Sequence, residues 1–327
     1  MKKPALTASF VILLLAGFLY SSPQPDKSFN KEIEKTDGFS DQKNILESIF
    51  MPHEPEGLSV FQKAYSDIGF SSSYDKDVSD WKIILTIPRN GQTVQKELYW
   101  ADGSFLPKEE LQNKDQHWTL LYSYPKELKN PDTFTAEEIE EIRQFSSPDN
   151  RQNGAGTPQY FFDAVYDCKT RISVEQHIKK TLFLGKQLNV HERIVPLLKK
   201  IEKEIRSAAK TDREVQNFID DLYQTDGYYW RTIRDTNRKS FHSIGIAVDI
   251  LPHRWGHKII YWNWQAEIDP ENWMLTPLKD RWMPPEKVIR IFEKHGFIWG
   301  GKWAIWDDMH FEYHPELILF NKINSFF

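Results

Sequence analysis

The first half of the chain shows a pattern of apolar and polar positions that predicts strands. Residues 81–88 form an apolar run that ends at an Asn90-Gly91 turn, and residues 94–100 follow with partial alternation. An Asn-Gly pair between two such runs is a strong signal for a β-hairpin. Residues 118–124 are rich in apolar and aromatic side chains and are a third predicted strand.

After residue 134 the apolar residues recur at the spacing of an α-helix. Thr135 and Glu138 have the spacing of a capping box, which predicts a helix that runs to about residue 145. Residues 192–209 carry an apolar stripe at helical spacing, which is typical of a helix that packs on a core. The other predicted elements are helix starts at 173–176 and 211–214, a helix at 285–294, and strands at 244–251 and 297–299.

The N-terminal segment has the layout of an export signal. Two lysines precede an apolar run from Ala5 to Tyr20, which is shorter than the ~20 residues that a membrane-spanning helix usually needs. We therefore predict a signal peptide or signal anchor at 1–22 and a linker at 23–57 that contains a short helix at 42–50. The protein is expected in the periplasm or cell envelope, and anchoring to the inner membrane through the N-terminal segment stays open.

A turn-rich stretch divides the rest of the chain. Residues 146–158 are rich in Ser, Pro, Asn and Gly, which favours a boundary between structural units. We place a β-rich accessory region at 58–150 before this boundary and a catalytic domain at 158–327 after it. The length of 327 residues, 40% of them hydrophobic, is enough for one large domain or two.

Charge and cysteine content exclude several classes of protein. Lys and Arg total 42 against 47 Asp and Glu, which gives a net charge of -5. The protein therefore lacks the excess of basic residues that is typical of a nucleic-acid binder. Cys168 is the only cysteine, which excludes an intrachain disulfide, a four-cysteine zinc site and a redox CxxC pair. Any metal site must therefore use histidines and carboxylates.

Two motifs in the last hundred residues contain such groups. The string SFHSIGIAVD at 240–249 places an aspartate inside an apolar strand, where a charge is costly unless it is paired or binds a metal. The string WDDMHFE at 306–312 brings a second histidine and more carboxylates. A hydrolytic zinc ion needs three protein ligands and a separate carboxylate that accepts a proton from water. The candidate ligands are His242, Asp249 and His310, and the candidate base is Asp307.

The spacing alone leaves a structural His–Asp hydrogen bond as the alternative, but the motifs have a wider likeness. Ser-x-His-x-x-Gly-x-Ala-x-Asp resembles the signature of the D-alanyl-D-alanine carboxypeptidase family of zinc peptidases, which includes vancomycin-resistance carboxypeptidases and phage L-alanoyl-D-glutamate endopeptidases. Residues 229–240 resemble the arginine-bearing segment before that signature, and residues 295–312 resemble the family's closing stretch. The resemblance covers roughly residues 160–327. It implies an α+β fold, with a small antiparallel sheet, helices packed on one side and zinc in a central cleft.

The resemblance also implies a role for each matching residue. Three positions match the Zn²⁺ ligands, namely His242, Asp249 and His310. Asp307, rather than its neighbour Asp308, matches the catalytic carboxylate. Arg231 matches an arginine on the substrate side, with a surface salt bridge as the alternative, and Ser240 is either a substrate contact or a residue that shapes the turn.

The activity implied is hydrolysis of peptide bonds next to D-amino acids in peptidoglycan stem peptides, most directly by a D-Ala-D-Ala carboxypeptidase. An L-Ala-D-Glu-type endopeptidase and a non-catalytic cell-wall binding protein on the same scaffold stay open. Among the nearby polar residues, Glu312 is expected to accept a hydrogen bond from a metal ligand. His253 and His257 are expected in a loop, and His314 is expected beside the site or at the surface.

Overall fold

The computed structural model describes residues 52–324. The predicted signal segment at 1–22 and the predicted helix at 42–50 lie outside these residues. Within the described range the chain forms ten α-helices and nine β-strands. None of the helices in that range is long and apolar enough to cross a membrane. The first helix, α1 (Glu56–Ala64), begins inside the segment predicted as a linker.

The N-terminal region is built on an antiparallel three-stranded sheet. Its strands are β1 (Gly69–Asp75), β2 (Asp80–Arg89) and β3 (Gln92–Tyr99), in that order. The predicted hairpin is β2–β3, and Asn90 and Gly91 both have positive φ angles, 50° and 75°. Two such residues suit the tight turn whose twist matches a β-hairpin. The hairpin prediction is therefore confirmed.

The predicted third strand at 118–124 is wrong. Its backbone donors bond to three separate segments: Trp118 N–H to Gly156 O, Leu120 N–H to Gly103 O, and Tyr124 N–H to the Asn321 side chain. A strand needs one neighbouring strand to supply its acceptors in register. This segment instead ties distant parts of the molecule together.

The middle of the chain is helical. It contains α2 (Ala136–Ser146), α3 (Pro148–Asn153), α4 (Tyr160–Tyr166) and α5 (Arg171–Glu175). The capping box predicted at the start of α2 is present, since Thr135 and Glu138 each bond to the other's backbone N–H. The helix start predicted at 173–176 is wrong. Thr170 is the N-cap and α5 ends at Glu175, because a strand begins three residues later.

A short hairpin and two longer helices follow. Strands β4 (Ile178–Phe183) and β5 (Lys186–His191) flank a two-residue turn, and α6 (Val195–Ala209) and α7 (Arg213–Asp220) come next. The stripe predicted at 192–209 is thus largely α6, preceded by one 3₁₀ turn. Asp212 rather than Thr211 caps α7, through backbone N–H groups of its first turn.

The second sheet carries the motifs of interest. It consists of β6 (Leu222–Asp226), β7 (Ala247–Pro252), β8 (Phe297–Trp299) and β9 (His310–Tyr313), antiparallel throughout in the order β6-β7-β9-β8. The strand predicted at 297–299 is β8. The helices of this part are α8 (Trp262–Ile268), α9 (Glu286–Lys294) and α10 (Pro315–Asn324). The α+β class is confirmed.

One hydrophobic core runs through both the N-terminal region and the second sheet. It extends from Leu58 and Phe61 on α1 to Phe311 on β9, and all three side chains are fully buried. Phe292 of α9 stacks on Phe311 with ring centroids 4.1 Å apart, which fixes α9 against the strand that carries His310. Burial of such rings dominates core stability, so the two motifs are held by a rigid scaffold.

Candidate metal centre

The first motif folds into a short 3₁₀ turn followed by β7. Ser240 caps this turn (Phe241–Ser243), because its hydroxyl accepts a hydrogen bond from the His242 backbone N–H at 3.2 Å. Gly245 then has a φ of +80°, and a Cβ there would lie 2.8 Å from the His191 backbone nitrogen. Only glycine fits this close left-handed turn. The turn directs the chain into the strand that contains Asp249.

The His242 ring is oriented by a backbone carbonyl. Its Nδ1–H donates to Gly227 O at 2.6 Å, and the residue is 3% exposed. A neutral imidazole has one donor nitrogen and one acceptor nitrogen, so this bond leaves the Nε2 lone pair free. Nε2 points toward Asp249 and His310, at 3.2 Å from Asp249 Oδ2 and 3.3 Å from His310 Nδ1.

The sheet register brings the other two candidate ligands together. Asp249 on β7 pairs directly with His310 on β9. Asp249 Oδ1 lies 2.7 Å from His310 Nδ1, and the second ring nitrogen of His310 donates to Glu312 Oε1 at 2.8 Å. Nδ1 is therefore the His310 atom that can bind a metal, and Glu312 fixes the ring orientation as metal-ligating histidines require.

These three side chains form a group that could hold a metal ion, with one ligand atom from each lying within 4.8 Å of the others. Tetrahedral zinc with bonds of about 2.0–2.1 Å places its ligand atoms about 3.3 Å apart. The contacts of His242 Nε2, at 3.2 and 3.3 Å, match that spacing, whereas Asp249 Oδ1 and His310 Nδ1, at 2.7 Å, are at hydrogen-bond distance and must separate slightly to bind the ion. Two imidazole nitrogens and a carboxylate are also a donor set that zinc accepts, so the residues fit the ion that the sequence implies.

The charges around this group favour a cation. Burial raises the pKa of Asp249, but the two histidines outweigh burial and hold the pKa of Asp249 well below its usual range. Burial opposes the charged form of His310, yet Asp249 and Glu312 raise the pKa of His310 well above its usual range. Without metal, His310 therefore carries a proton at neutral pH. A metal ion that binds there takes the place of that proton.

Asp307 lies in the turn just before β9. Its backbone N–H donates to Gly300 O at 3.1 Å, and a Cβ on Gly300 would come within 2.7 Å of Asp307 O, so the glycine permits this close approach. Asp307 Oδ1 is buried and has no hydrogen-bond partner. Burial, with the nearby charges of Asp249 and Asp308, raises the pKa of Asp307 to about 8 despite the opposing effect of His310. A carboxylate with a free oxygen and a raised pKa is suited to accept and return a proton.

The neighbouring Asp308 is engaged differently. Its two oxygens accept hydrogen bonds from Arg281 at 2.5 and 2.9 Å, and both side chains are almost completely buried. Arg281 also donates to Gly301 O and lies over the Trp306 ring. Both oxygens of Asp308 are thus used in a structural ion pair, whereas Asp307 keeps a free oxygen.

The two residues predicted to contact substrate are placed next to this turn. The Ser243 hydroxyl bonds to both the N–H and the carbonyl of Arg231, at 2.8 and 2.6 Å, which ties the Arg231 backbone to the first motif. The Arg231 side chain is exposed, and no ion pair or side-chain hydrogen bond of its guanidinium occurs among residues 52–324. Ser240 acts as a helix cap through its Oγ, and the residue is buried.

The other polar residues near the motifs have clear environments. His253 and His257 lie in an exposed loop, as expected. Glu312 accepts a hydrogen bond from His310, as expected. His314 is only 4% exposed, so the alternative of a surface position for it is wrong.

Glu316 was not predicted from the sequence as part of the site. It is fully buried, and its carboxylate accepts a hydrogen bond from His314 Nδ1 at 2.7 Å. The signal was the return of His or Glu at every second position of HFEYHPE (310–316), although only the first four residues are strand and Glu316 lies in the first turn of α10.

Residues 234–313 match a family model described as D-alanyl-D-alanine carboxypeptidase. This segment is thus similar to the D-alanyl-D-alanine carboxypeptidase family. The resemblance inferred from the motifs is thereby confirmed over a segment that contains His242, Asp249, Asp307 and His310.

The carboxypeptidase-family segment leaves most of the N-terminal region unmatched. Residues 57–123 match a different family model, described as a domain of unknown function. No significant match was found among curated proteins or among solved structures. A peptidase domain of a family that acts on peptidoglycan is therefore what the comparisons support for this chain.

Proposed function

We propose that the protein is a zinc-dependent peptidase that cleaves peptide bonds next to D-amino acids in peptidoglycan stem peptides, as a D-Ala-D-Ala carboxypeptidase. The observation that carries this proposal is the convergence of His242 Nε2, His310 Nδ1 and Asp249 beside the unpartnered Asp307 Oδ1. All four residues lie within the segment that matches the carboxypeptidase family.

Each of these residues has a task in the proposed hydrolysis. Zinc, when bound, supplies a Lewis acid that makes water a better nucleophile and polarises the scissile carbonyl. Asp307 accepts the proton of the attacking water through its free Oδ1 and then delivers it to the leaving amine. Gly300 and the turn before β9 hold Asp307 in place, while Gly227 and Glu312 hold the two histidine rings.

Arg231 supports the choice of a carboxypeptidase. A carboxypeptidase must recognise the free carboxylate at the end of its substrate, and the planar fork of an arginine binds a carboxylate through two parallel hydrogen bonds. The guanidinium is exposed and makes no ion pair among the described residues. Its backbone is fixed to the first motif through Ser243, so the side chain starts from a defined position next to His242.

A cell-envelope location follows from the proposed substrate, since peptidoglycan lies outside the cytoplasm. The predicted signal peptide or anchor at 1–22 supports export, to the periplasm or to the outer face of the inner membrane. Fractionation of cells that express the full chain would test this location. Recovery of the protein only in the cytosol would contradict it.

The test of the activity is mass spectrometry of stem peptides that end in D-Ala-D-Ala, incubated with the zinc-loaded full chain. An Asp307→Ala variant with bound zinc is the control. Loss of one terminal alanine with the wild type alone supports the proposal. An internal cut would replace it with an endopeptidase, and no product despite bound zinc would contradict a peptidase acting on these peptides.

A further inference from the structure

A chain of buried hydrogen bonds leads from the candidate metal centre into the N-terminal region. His310 Nε2 bonds to Glu312 Oε1 at 2.8 Å, and Glu312 Oε2 bonds to His314 Nε2 at 3.2 Å. His314 Nδ1 bonds to Glu316 Oε1 at 2.7 Å, and the Tyr65 hydroxyl donates to Glu316 Oε2 at 2.8 Å. The whole chain is buried, and its most exposed member, Glu312, is only 8% exposed.

Each side chain in this series is hydrogen-bonded to the next one, so the series of hydrogen bonds is continuous. Glu312 and Glu316 each use one oxygen toward each neighbour, and His314 uses both ring nitrogens as donors. Buried polar groups that lose a partner are costly, so no member can rotate without disturbing the next one. The orientation of Glu316 therefore constrains the orientation of Glu312, which accepts from His310.

Of the five residues in this series of hydrogen bonds, only Tyr65 belongs to the N-terminal region. It follows α1 directly and lies within residues 57–123, the segment that matches a domain of unknown function. Its ring is held by Phe61, stacked at 6.5 Å, and by Phe161, edge-on at 5.1 Å. These ring contacts hold the Tyr65 hydroxyl in place independently of its hydrogen bond to Glu316, which is 251 residues away in sequence.

We propose that Tyr65 is a positioning residue for the metal centre and that residues 57–123 act as a structural support of that centre. This inference rests on the proposed metal centre, but not on the proposed substrate. By donating to Glu316, Tyr65 fixes the far end of the chain that holds the His310 ring in its metal-binding orientation. Partners of this kind tune the affinity of a site without touching the ion.

The test compares Tyr65→Phe with Tyr99→Phe in the full chain. Tyr99 is a matched control, because it is also buried in the N-terminal region and its hydroxyl donates to a carboxylate, Asp75, at 2.8 Å. Asp75 has no link to the metal centre among the bonds described above. Zinc affinity, measured by competition with a chelator, is expected to fall about tenfold in Tyr65→Phe. It is expected to stay at the wild-type level in Tyr99→Phe.

Equal zinc affinities of Tyr65→Phe and wild type would overturn the proposal, as would equal losses in the two variants. Thermal unfolding of the metal-free variants shows whether they lose similar stability. Glu316→Gln keeps the side-chain volume and is expected to weaken zinc binding to a similar extent. It replaces Tyr65→Phe as the test variant if Tyr65→Phe does not fold.

A second readout does not depend on metal. The ring nitrogens of His310 and His314 are expected to shift in the ¹⁵N spectrum of metal-free Tyr65→Phe, and to stay unchanged in Tyr99→Phe. If the wild type binds no zinc, the proposed function fails and this inference fails with it. If the wild type binds zinc, these shifts test the inference separately from the proposed function. Unchanged shifts in Tyr65→Phe would overturn the inference.

Discussion

His242 Nε2 and His310 Nδ1 lie 3.3 Å apart, and the other ring nitrogen of each histidine already donates a hydrogen bond, to Gly227 O and to Glu312 respectively. Two imidazole lone pairs thus converge on one point beside the Asp249 carboxylate. Such an arrangement is stabilised either by a proton or by a metal ion. The carboxylates of Asp249 and Glu312 favour either cation, and the family match favours the metal ion.

The first prediction separates the two adjacent aspartates. Asp307→Asn should lower the rate of hydrolysis by about 10²–10⁴-fold, because the amide cannot accept the proton of water. Zinc content should stay unchanged, since Asp307 is not one of the converging ligands. Hydrolysis assays together with metal analysis check both points, and loss of zinc would contradict the assigned role.

The matched variant Asp308→Asn should act on stability instead. The substitution leaves the buried Arg281 guanidinium without a carboxylate to balance its charge. Breaking a buried ion pair in this way lowers the free energy of unfolding by about 3–5 kcal/mol. Urea unfolding should show this loss for Asp308→Asn and a smaller change for Asp307→Asn. The reverse order of stabilities would show that the two aspartates have been assigned the wrong way round.

A second prediction concerns Arg231. Arg231→Ala should raise KM for peptides with a free C-terminal carboxylate by about 10–100-fold, since a charge-assisted pair is lost, and should change kcat less. Arg234→Ala is the control, because Arg234 is also exposed and lies close to acidic residues, Asp235 and Glu267. Steady-state kinetics on stem peptides check the difference. Equal KM values for the Arg231 variant and the wild type would assign Arg231 to the surface.

The elements that the sequence predicts well are those set by local chemistry. Thr135 and Glu138 satisfy each other's backbone within one turn, and the Asn90-Gly91 pair fits a turn that few other residues adopt. The alternating apolar residues around Asp249 likewise predict a buried strand, and β7 has that pattern. In each case the neighbours in sequence are also the neighbours in space.

The errors arise where distant partners decide the structure. Residues 118–124 look like a strand, yet their backbone bonds go to segments around residues 103, 156 and 321. The hairpin β4–β5 was missed because Leu184, a residue that rarely adopts positive φ, has a φ of 50° beside Gly185. In the site, the motif residues could be predicted, but Tyr65 could not, since no local pattern links it to Glu316.

A third prediction is that zinc affinity rises with pH. The pKa of His310 in the metal-free protein lies well above its usual range, so zinc must displace a proton at neutral pH. Each displaced proton makes the apparent affinity rise about tenfold per pH unit. Chelator competition at pH 6 and pH 8, corrected for the chelator's own protonation, measures this slope. A flat profile would contradict a protonated His310 in the metal-free state.

A fourth prediction is a pH-dependent contribution of His314 to stability. Burial lowers its pKa, but Glu316 and Glu312 outweigh burial and raise the pKa of His314 to about 9. Because the folded pKa exceeds the unfolded value of about 6.5, this contribution is complete below pH 6.5 and is lost as the pH rises through 9. Burial opposes ionisation of Glu312, but its bonds to His310 and His314 lower its pKa to about 2, so it stays charged throughout this range.

The measurement is urea unfolding of metal-free wild type and His314→Gln between pH 6 and pH 9. The free-energy difference between them should be largest at pH 6 and should shrink toward pH 9. His257→Gln, at an exposed loop position, should show little difference at any pH. A difference for His314→Gln that does not change with pH would show that His314 is neutral in the folded protein.

The central claim is that His242, Asp249 and His310 bind zinc, and X-ray absorption at the zinc edge of the full chain tests it most directly. The account predicts about one zinc per chain, with four nitrogen or oxygen ligands at about 2.0–2.2 Å, two of them imidazoles. His242→Ala should lose the ion, while His253→Ala, a change in the exposed loop, should keep it. A wild-type protein without specifically bound zinc, or zinc with only one imidazole ligand, would contradict the account.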